Sequence, residues 1–296
     1  MTTRFRPRPL IIALAGVLIT TLPATPQAPT AGFPARVLIT NDNGIDDPKI
    51  VALARAFAAH AETWVVAPAT DRSGTGSYLT VTQTGTLATE RRDLGAGIHA
   101  FAIDGYPADC VALALLGLMR DTPPDIVISG INGGANLGAD WFGSGTVGAA
   151  RIAALAGVPA VAVSGLDDAL PGALDAAVDW VVRVASSSLV RMLEPPDYLT
   201  VSMPPLAPDH IRGVRVAYRA PLRRVPRLTS RDSITWLVAG MDEIGAPAAA
   251  DSDEALWQDG FIVVVPMRAD EVDFERLVRW RRDGVALPAW RPDQEP

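Results

Sequence analysis

A single cysteine and three histidines are all that the 296 residues hold of the side chains that most often form disulfides or zinc centres. Cys110 has no partner within the chain, which excludes an internal disulfide. His60, His99 and His210 are scattered without metal-ligand spacing, so a histidine-rich zinc site is not supported. Long apolar runs are also missing. The longest lies in residues 10–22, short of the roughly 20 residues a spanning helix needs. Basic residues are in deficit, 26 against 33 acidic, for a net charge of −7, which argues against nucleic acid as a polyanionic partner. What is abundant is core material: 49% hydrophobic and 20% charged residues exclude disorder throughout.

The first stretch differs from the rest. Arg4, Arg6 and Arg8 precede the apolar run, and the small and polar residues 23–28 follow it, the pattern of a secretory signal peptide. No cysteine follows the run, so a lipid-modified terminus is not indicated. Cleavage after Ala24 or Ala28 would remove the three arginines and turn −7 into about −10. The expectation is a periplasmic or secreted protein with no stable membrane span once the signal is gone.

Beyond a Pro/Ala/Gly linker, short apolar runs alternate with helical patterns. Arg36-Val-Leu-Ile-Thr40 reads as a buried strand entering a loop. Asp47 caps a following helix with Pro48 at its first position, and Ile50, Leu53, Ala54 and Phe57 fall on one face. Further strands are expected at 63–68, 125–129 and 159–164, and helices at 107–119 and 145–156. Added strands or a hairpin are expected near 79–83 and 98–103. Such alternation implies an α/β fold, a Rossmann-like parallel sheet core with helices on both faces. From about residue 170 the alternation loosens into a helix near 173–187 and short apolar runs at 198–203, 214–218 and 261–265, a C-terminal β-rich elaboration. The division is thus 1–28 signal and start of linker, 29–170 the α/β core, and 171–296 the C-terminal part of the same fold with a frayed tail.

In an open parallel sheet the ligand sits beyond the carboxyl ends of the strands, so the loops there are the ones to weigh. They are Thr40-Asn-Asp-Asn-Gly44, Asp71-Arg-Ser-Gly-Thr-Gly76 and Gly130-Ile-Asn-Gly-Gly-Ala-Asn-Leu-Gly138. Their carboxylate, carboxamide and hydroxyl oxygens suit a hard divalent cation such as Mg²⁺ or Mn²⁺, with Asp42 as the anionic anchor. Taken singly, an Asp or Asn after a strand more often makes a local turn, and a Ser-Gly pair more often is only a loop. Ser144-Gly-Thr146 precedes a helix whose first N–H groups could hold a phosphate oxygen, or it is an ordinary Ser N-cap. No phosphate-loop lysine follows the glycine-rich run, and 133–138 does not give the dinucleotide fingerprint, so ATP and NAD are disfavoured. The Gly-x-Ser-x-Gly frame of a serine hydrolase is also missing after every strand.

Taken in order, these segments resemble the SurE (survival protein E) family. The matching pieces are 37–46, Val66-Ala-Pro68 with Arg72-Ser-Gly74, Gly105-Tyr-Pro-Ala-Asp-Cys110, and Ser129-Gly-Ile-Asn132 through Gly145-Thr-Val-Gly-Ala149, with a weaker echo in Asp251-Ser-Asp253 to Pro266. The resemblance implies hydrolysis of nucleoside 5'- or 3'-monophosphates or another phosphomonoester. It places Asp42, Asn43, Ser73 and Asn132 at the four metal-ligand positions, Asp42 and Asn43 at the catalytic centre, and Ser144, Gly145, Thr146 and Asn136 near phosphate. It also implies a homodimer or homotetramer. Three positions depart from the family: Asn43 where a second Asp is usual, Ser77 where His is usual, and Gly133 where a basic residue or His is common. Losing a carboxylate at 43 should weaken the metal site. A second reading therefore stands beside the enzyme, a non-catalytic binder of phosphoesters disabled at that ligand.

Overall fold

The computed structural model describes residues 32–221, 224–244, 248–271 and 273–283. The signal-peptide expectation and the frayed tail at 291–296 lie outside them.

Eleven strands and eight α-helices are present among the described residues. The strands are β1 (Arg36–Thr40), β2 (Glu62–Pro68), β3 (Thr89–Arg92), β4 (Ile98–Ile103), β5 (Ile126–Asn132), β6 (Ala160–Ser164), β7 (Asp197–Ser202), β8 (Val214–Val216), β9 (Arg224–Ser230), β10 (Trp236–Glu243) and β11 (Ile262–Arg268). The helices are α1 (Pro48–Ala58), α2 (Val81–Thr84), α3 (Pro107–Leu113, continued as a π-turn over Ala114–Leu118), α4 (Gly145–Leu155), α5 (Ala173–Ala185), α6 (Ser188–Arg191), α7 (Asp253–Gln258) and α8 (Phe274–Arg282).

Nine strands form one sheet in the order β3-β4-β2-β1-β5-β6-β7-β11-β8. The six from β4 to β7 are mutually parallel. β3 and β11 pair antiparallel on either side of this block, and β8 runs parallel to β11. The expected α/β class and parallel core are therefore present. β7, β8 and β11 extend the main sheet, and only the β9–β10 hairpin stands as a separate two-stranded sheet.

Alternation along each strand divides the core. Val37 and Ile39, Val65 and Ala67, and Ile126 and Ile128 face α1 and α5, while Leu38, Val66 and Val127 face α3 and α4. Both faces are thus filled by apolar side chains, as a parallel sheet requires. Helix α1 starts as expected: the Asp47 carboxylate accepts from the Lys49 amide at 2.7 Å, Pro48 follows it, and Ile50, Leu53, Ala54 and Phe57 are all buried.

One expectation needs correction. Residues near 79–83 do not form a strand: the backbone turns into α2, and the strand beside β4 comes later, as β3. The Thr/Ser-rich run around Leu79 imitates a two-residue period over too few residues to distinguish it from one helical turn.

Candidate functional site

The order of strands fixes where a ligand can sit. From β1 the chain crosses to β2 and β4 on one side, then returns to β5 on the other and proceeds to β6 and β7. The switch point is the crevice between the carboxyl ends of β1 and β5, where the flanking loops part and leave a depression. Thr40 and Ser129 are register partners there, so the loops holding Asp42, Asn43 and Asn132 emerge side by side.

The turn after β1 is closed by Asn41, whose amide donates to the Gly44 carbonyl at 2.8 Å and whose Oδ1 accepts from the Gly44 amide at 3.2 Å. Asn41 is thereby spent on holding Asp42 and Asn43. Gly44 has φ +105°, and a Cβ there would lie 3.2 Å from the Thr70 carbonyl carbon, so the turn admits little else.

Asp42 is buried, at 3% exposure, and it faces the amino end of α4. Its Oδ1 accepts from the Thr146 hydroxyl at 2.8 Å and its Oδ2 from the Thr146 amide at 3.1 Å. Burial pushes its carboxyl above the usual carboxylate range, against those two bonds, and the charge of Asp71 pushes the same way. The first turn of α4 is therefore largely committed. Thr146 holds Asp42, the Ser144 hydroxyl oxygen caps the Val147 amide at 3.1 Å, and the Gly145 amide is left over for another oxygen.

The loop after β2 is tied to the same point. The Arg72 amide donates to the Asp42 carbonyl at 2.7 Å and the Gly76 amide to the Gly143 carbonyl at 2.9 Å. Gly148 of α4 allows this approach, because a Cβ there would fall 2.2 Å from the Gly76 carbonyl oxygen. Ser73, one residue on from Arg72, is exposed and gives its hydroxyl proton to Asp71 at 2.6 Å. That bond and one from the Ser73 amide hold the Asp71 carboxyl below the usual range.

On the other side, the Asn132 amide donates to the Gly134 carbonyl at 2.7 Å. Asn136 is buried, its Nδ2 donating to the Ser164 hydroxyl at 2.7 Å, so this amide serves the β5–β6 junction. The loops that carry Asp42, Asn43, Ser73 and Asn132 thus leave the adjacent strands β1, β2 and β5, and the Asn136 side-chain amide is turned to Ser164.

The chemistry of the donor set fits a hard cation. The Ser73 hydroxyl proton and one Asn132 Nδ2 proton are taken by Asp71 and the Gly134 carbonyl, which leaves oxygen lone pairs of both side chains available. Asn43 Oδ1 is buried with no hydrogen-bond partner, a costly state for a carboxamide oxygen unless a ligand supplies the missing charge. Among the described residues no three His, Cys, Asp or Glu side chains gather as a metal cluster, so the set is one carboxylate with neutral oxygens. A divalent ion held by it keeps net positive charge, which a phosphate dianion would complete.

Sequence reasoning missed the contribution of the C-terminal half. Arg219 donates to the carbonyls of Asn136 at 2.8 Å and Gly138 at 3.3 Å, and to the Thr200 hydroxyl at 2.9 Å. It faces Asp253 at 3.7 Å, both side chains being largely buried. Asp253 in turn accepts from the Gly138 amide at 2.9 Å and the Ala220 amide at 2.8 Å. Asp253 stood in the weaker echo noted above, but nothing local to Arg219 marks it.

The family model described as Survival protein SurE matches residues 37–224. The chain is 36% identical over 256 residues to "5'-nucleotidase SurE 1" of Burkholderia lata, covering 83% of the chain and 95% of that protein. It is 34% identical over 253 residues to "5'-nucleotidase SurE" of Roseobacter denitrificans, covering 79% and 94%. Among solved structures, the SurE protein from Aquifex aeolicus superposes with a TM-score of 0.69 at 28% identity, covering 84% of this chain and 99% of that one.

Proposed function

The chain belongs to the SurE family, and from that premise we propose that it is a phosphoric monoester hydrolase, a divalent-metal-dependent nucleotidase acting on nucleoside 5'- or 3'-monophosphates. The observation that carries the reading is the pairing of a buried, helix-held Asp42 carboxylate with the unpartnered Asn43 oxygen at the switch point of the sheet. The names of the relatives support the reaction class. No observation favours the non-catalytic alternative.

Asp42, Asn43, Ser73 and Asn132 would hold the cation, Mg²⁺ or Mn²⁺, which when bound supplies the charge that polarises a phosphoryl group. The protein's own part is orientation. Thr146 fixes the Asp42 carboxylate with two hydrogen bonds, so it need not reorganise when substrate arrives. The Gly145 amide and the Ser144 hydroxyl proton lie at the positive end of α4 and are suited to phosphate oxygens. Asn136 acts by shaping the loop.

Phosphate release from 5'-AMP, 3'-AMP and an aryl phosphate, with Mn²⁺, Mg²⁺ or EDTA, tests this. Metal-dependent release abolished by Asp42→Ala is expected; release that persists in EDTA or in Asp42→Ala would overturn it.

We further propose a periplasmic or secreted location, on the N-terminal sequence alone, and a homodimer or homotetramer. The β9–β10 hairpin supports the latter, since Leu228, Trp236 and Val238 are exposed on it and apolar patches of this kind mark contact surfaces. Light scattering after gel filtration should give a mass at least twice that of the chain, and a monomer would reject the assembly.

A further inference from the structure

The segment that carries Ser73 leaves one aromatic ring and returns to it. Arg72, directly before Ser73, lays its guanidinium over the face of Tyr106, 5.1 Å from the ring centroid. Tyr78, on the far side of Ser73 along the chain, meets the same ring edge-on, with centroids 4.8 Å apart and planes at 85°, a geometry that ring quadrupoles favour. The Arg72 guanidinium also pairs with Asp104 at 3.2 Å, but that carboxylate is exposed and such a pair is weak. Arg72 Nε is buried without a hydrogen-bond partner, so the ring face is what chiefly orients the guanidinium.

Tyr106 is itself fixed at the amino end of α3. Its amide donates to the buried Asp109 carboxylate at 3.0 Å, and its carbonyl accepts from the Cys110 amide at 3.0 Å. Pro107, the next residue, reaches the amino end of α4, because a Cβ on Gly145 would lie 3.0 Å from Pro107 Cγ and 2.9 Å from Asp42 Cβ. The ring is therefore a peg on the frame that holds Asp42. Between its two contacts with that peg the loop has less to hold it. The Arg72 amide is tied to the Asp42 carbonyl at 2.7 Å and the Gly76 amide to the Gly143 carbonyl at 2.9 Å. Ser73, by contrast, is exposed and bonds Asp71 within the loop, and a Cβ on Gly74 would meet nothing within 4 Å.

We propose that Tyr106, with Arg72 and Tyr78 packed on it, is a positioning residue that sets where the Ser73 hydroxyl stands relative to Asp42, and through it the affinity of the site for its divalent cation. The inference rests on the metal-dependent reading above. Tyr106 acts through the Ser73 loop and not by touching cation or substrate.

Titration calorimetry with Mn²⁺ alone, without phosphate, tests this. Tyr106→Leu keeps an apolar side chain but removes the ring's face and edge, and should weaken Mn²⁺ binding about tenfold, the scale on which residues that orient a metal ligand commonly act. Tyr106→Phe keeps the ring and should bind as the native chain does. The loss should vanish in a Ser73→Ala background, where Tyr106→Leu has no hydroxyl left to misplace. A merely structural ring would lower the melting temperature and leave the affinity of the folded protein as in the native chain. Equal affinity in Tyr106→Leu and the native chain would therefore overturn the proposal, and so would a loss that is undiminished in Ser73→Ala. Should Tyr106→Leu not fold, Tyr78→Leu removes the edge contact from a ring that is 41% exposed. A loss of about threefold is then expected, the scale of one aromatic pair, and no loss would overturn the proposal. Failure of the native chain to bind Mn²⁺ would instead remove the metal-site reading on which it rests.

Discussion

Replacing Asp42 with Asn separates a metal ligand from a helix cap. In the native chain the carboxylate is buried, accepts two bonds from Thr146, and has its pKa raised by burial. A carboxyl whose folded pKa lies above its unfolded value favours the native state most when protonated. Its contribution is therefore present at low pH and lost as pH rises from the unfolded value through the folded one, each tenfold preference for the proton corresponding to about 1.4 kcal/mol. At pH 8 metal-free Asp42→Asn escapes that penalty but loses part of the Thr146 bonding, worth about 1–3 kcal/mol. The two offset, so its metal-free melting temperature should stay within a few degrees of native. The metal response should not survive. A metal concentration 100 times Kd stabilises by about 2.7 kcal/mol, or about 5–10 °C at 2–4 °C per kcal/mol for a domain of this size. Melting with and without Mn²⁺ at pH 5 and pH 8 is the assay. The native shift should grow with pH as the proton ceases to compete, and Asp42→Asn should show none. A full Mn²⁺ shift in Asp42→Asn, or a native shift indifferent to pH, would refute the assignment.

Three other outcomes are expected. Asn43→Asp gives the site a second carboxylate, so Mn²⁺ affinity measured by titration calorimetry without phosphate should rise about tenfold or more, and the native site should gain most when phosphate is added. Gly148→Ala forces a methyl to within 2.2 Å of the Gly76 carbonyl oxygen; denaturant unfolding should show a loss of about 2–4 kcal/mol, with weaker Mn²⁺ binding as the Ser73 loop is displaced. Tyr198→Phe removes a buried hydroxyl that has no hydrogen-bond partner and whose titration burial pushes upward, so stability should rise or fall by less than about 1 kcal/mol; a larger loss would reveal a partner the fold does not show.

Much of the architecture is local in origin and so legible along the chain. Asp47-Pro48 announces α1 because capping and proline chemistry act within two residues, and the buried runs of β1, β5 and β6 show as unbroken apolar segments because both faces are covered. The polar loops after β1, β2 and β5 were legible as candidate ligands for the same reason: a strand end is visible, and parallel topology fixes which end matters. Where a short segment satisfies two periods, as near Leu79, the chain alone could not choose, and packing chose α2.

The site's internal arrangement was decided elsewhere. That α4 spends its first turn on Asp42 depends on a bond between residues 104 positions apart, and that Arg219 and Asp253 clamp the 136–138 loop depends on separations of 83 and 115. Residue type and spacing determined which oxygens could meet a cation. Only the folded sheet, by placing its switch point between β1 and β5, decided which of their lone pairs were already taken and which remained for a ligand.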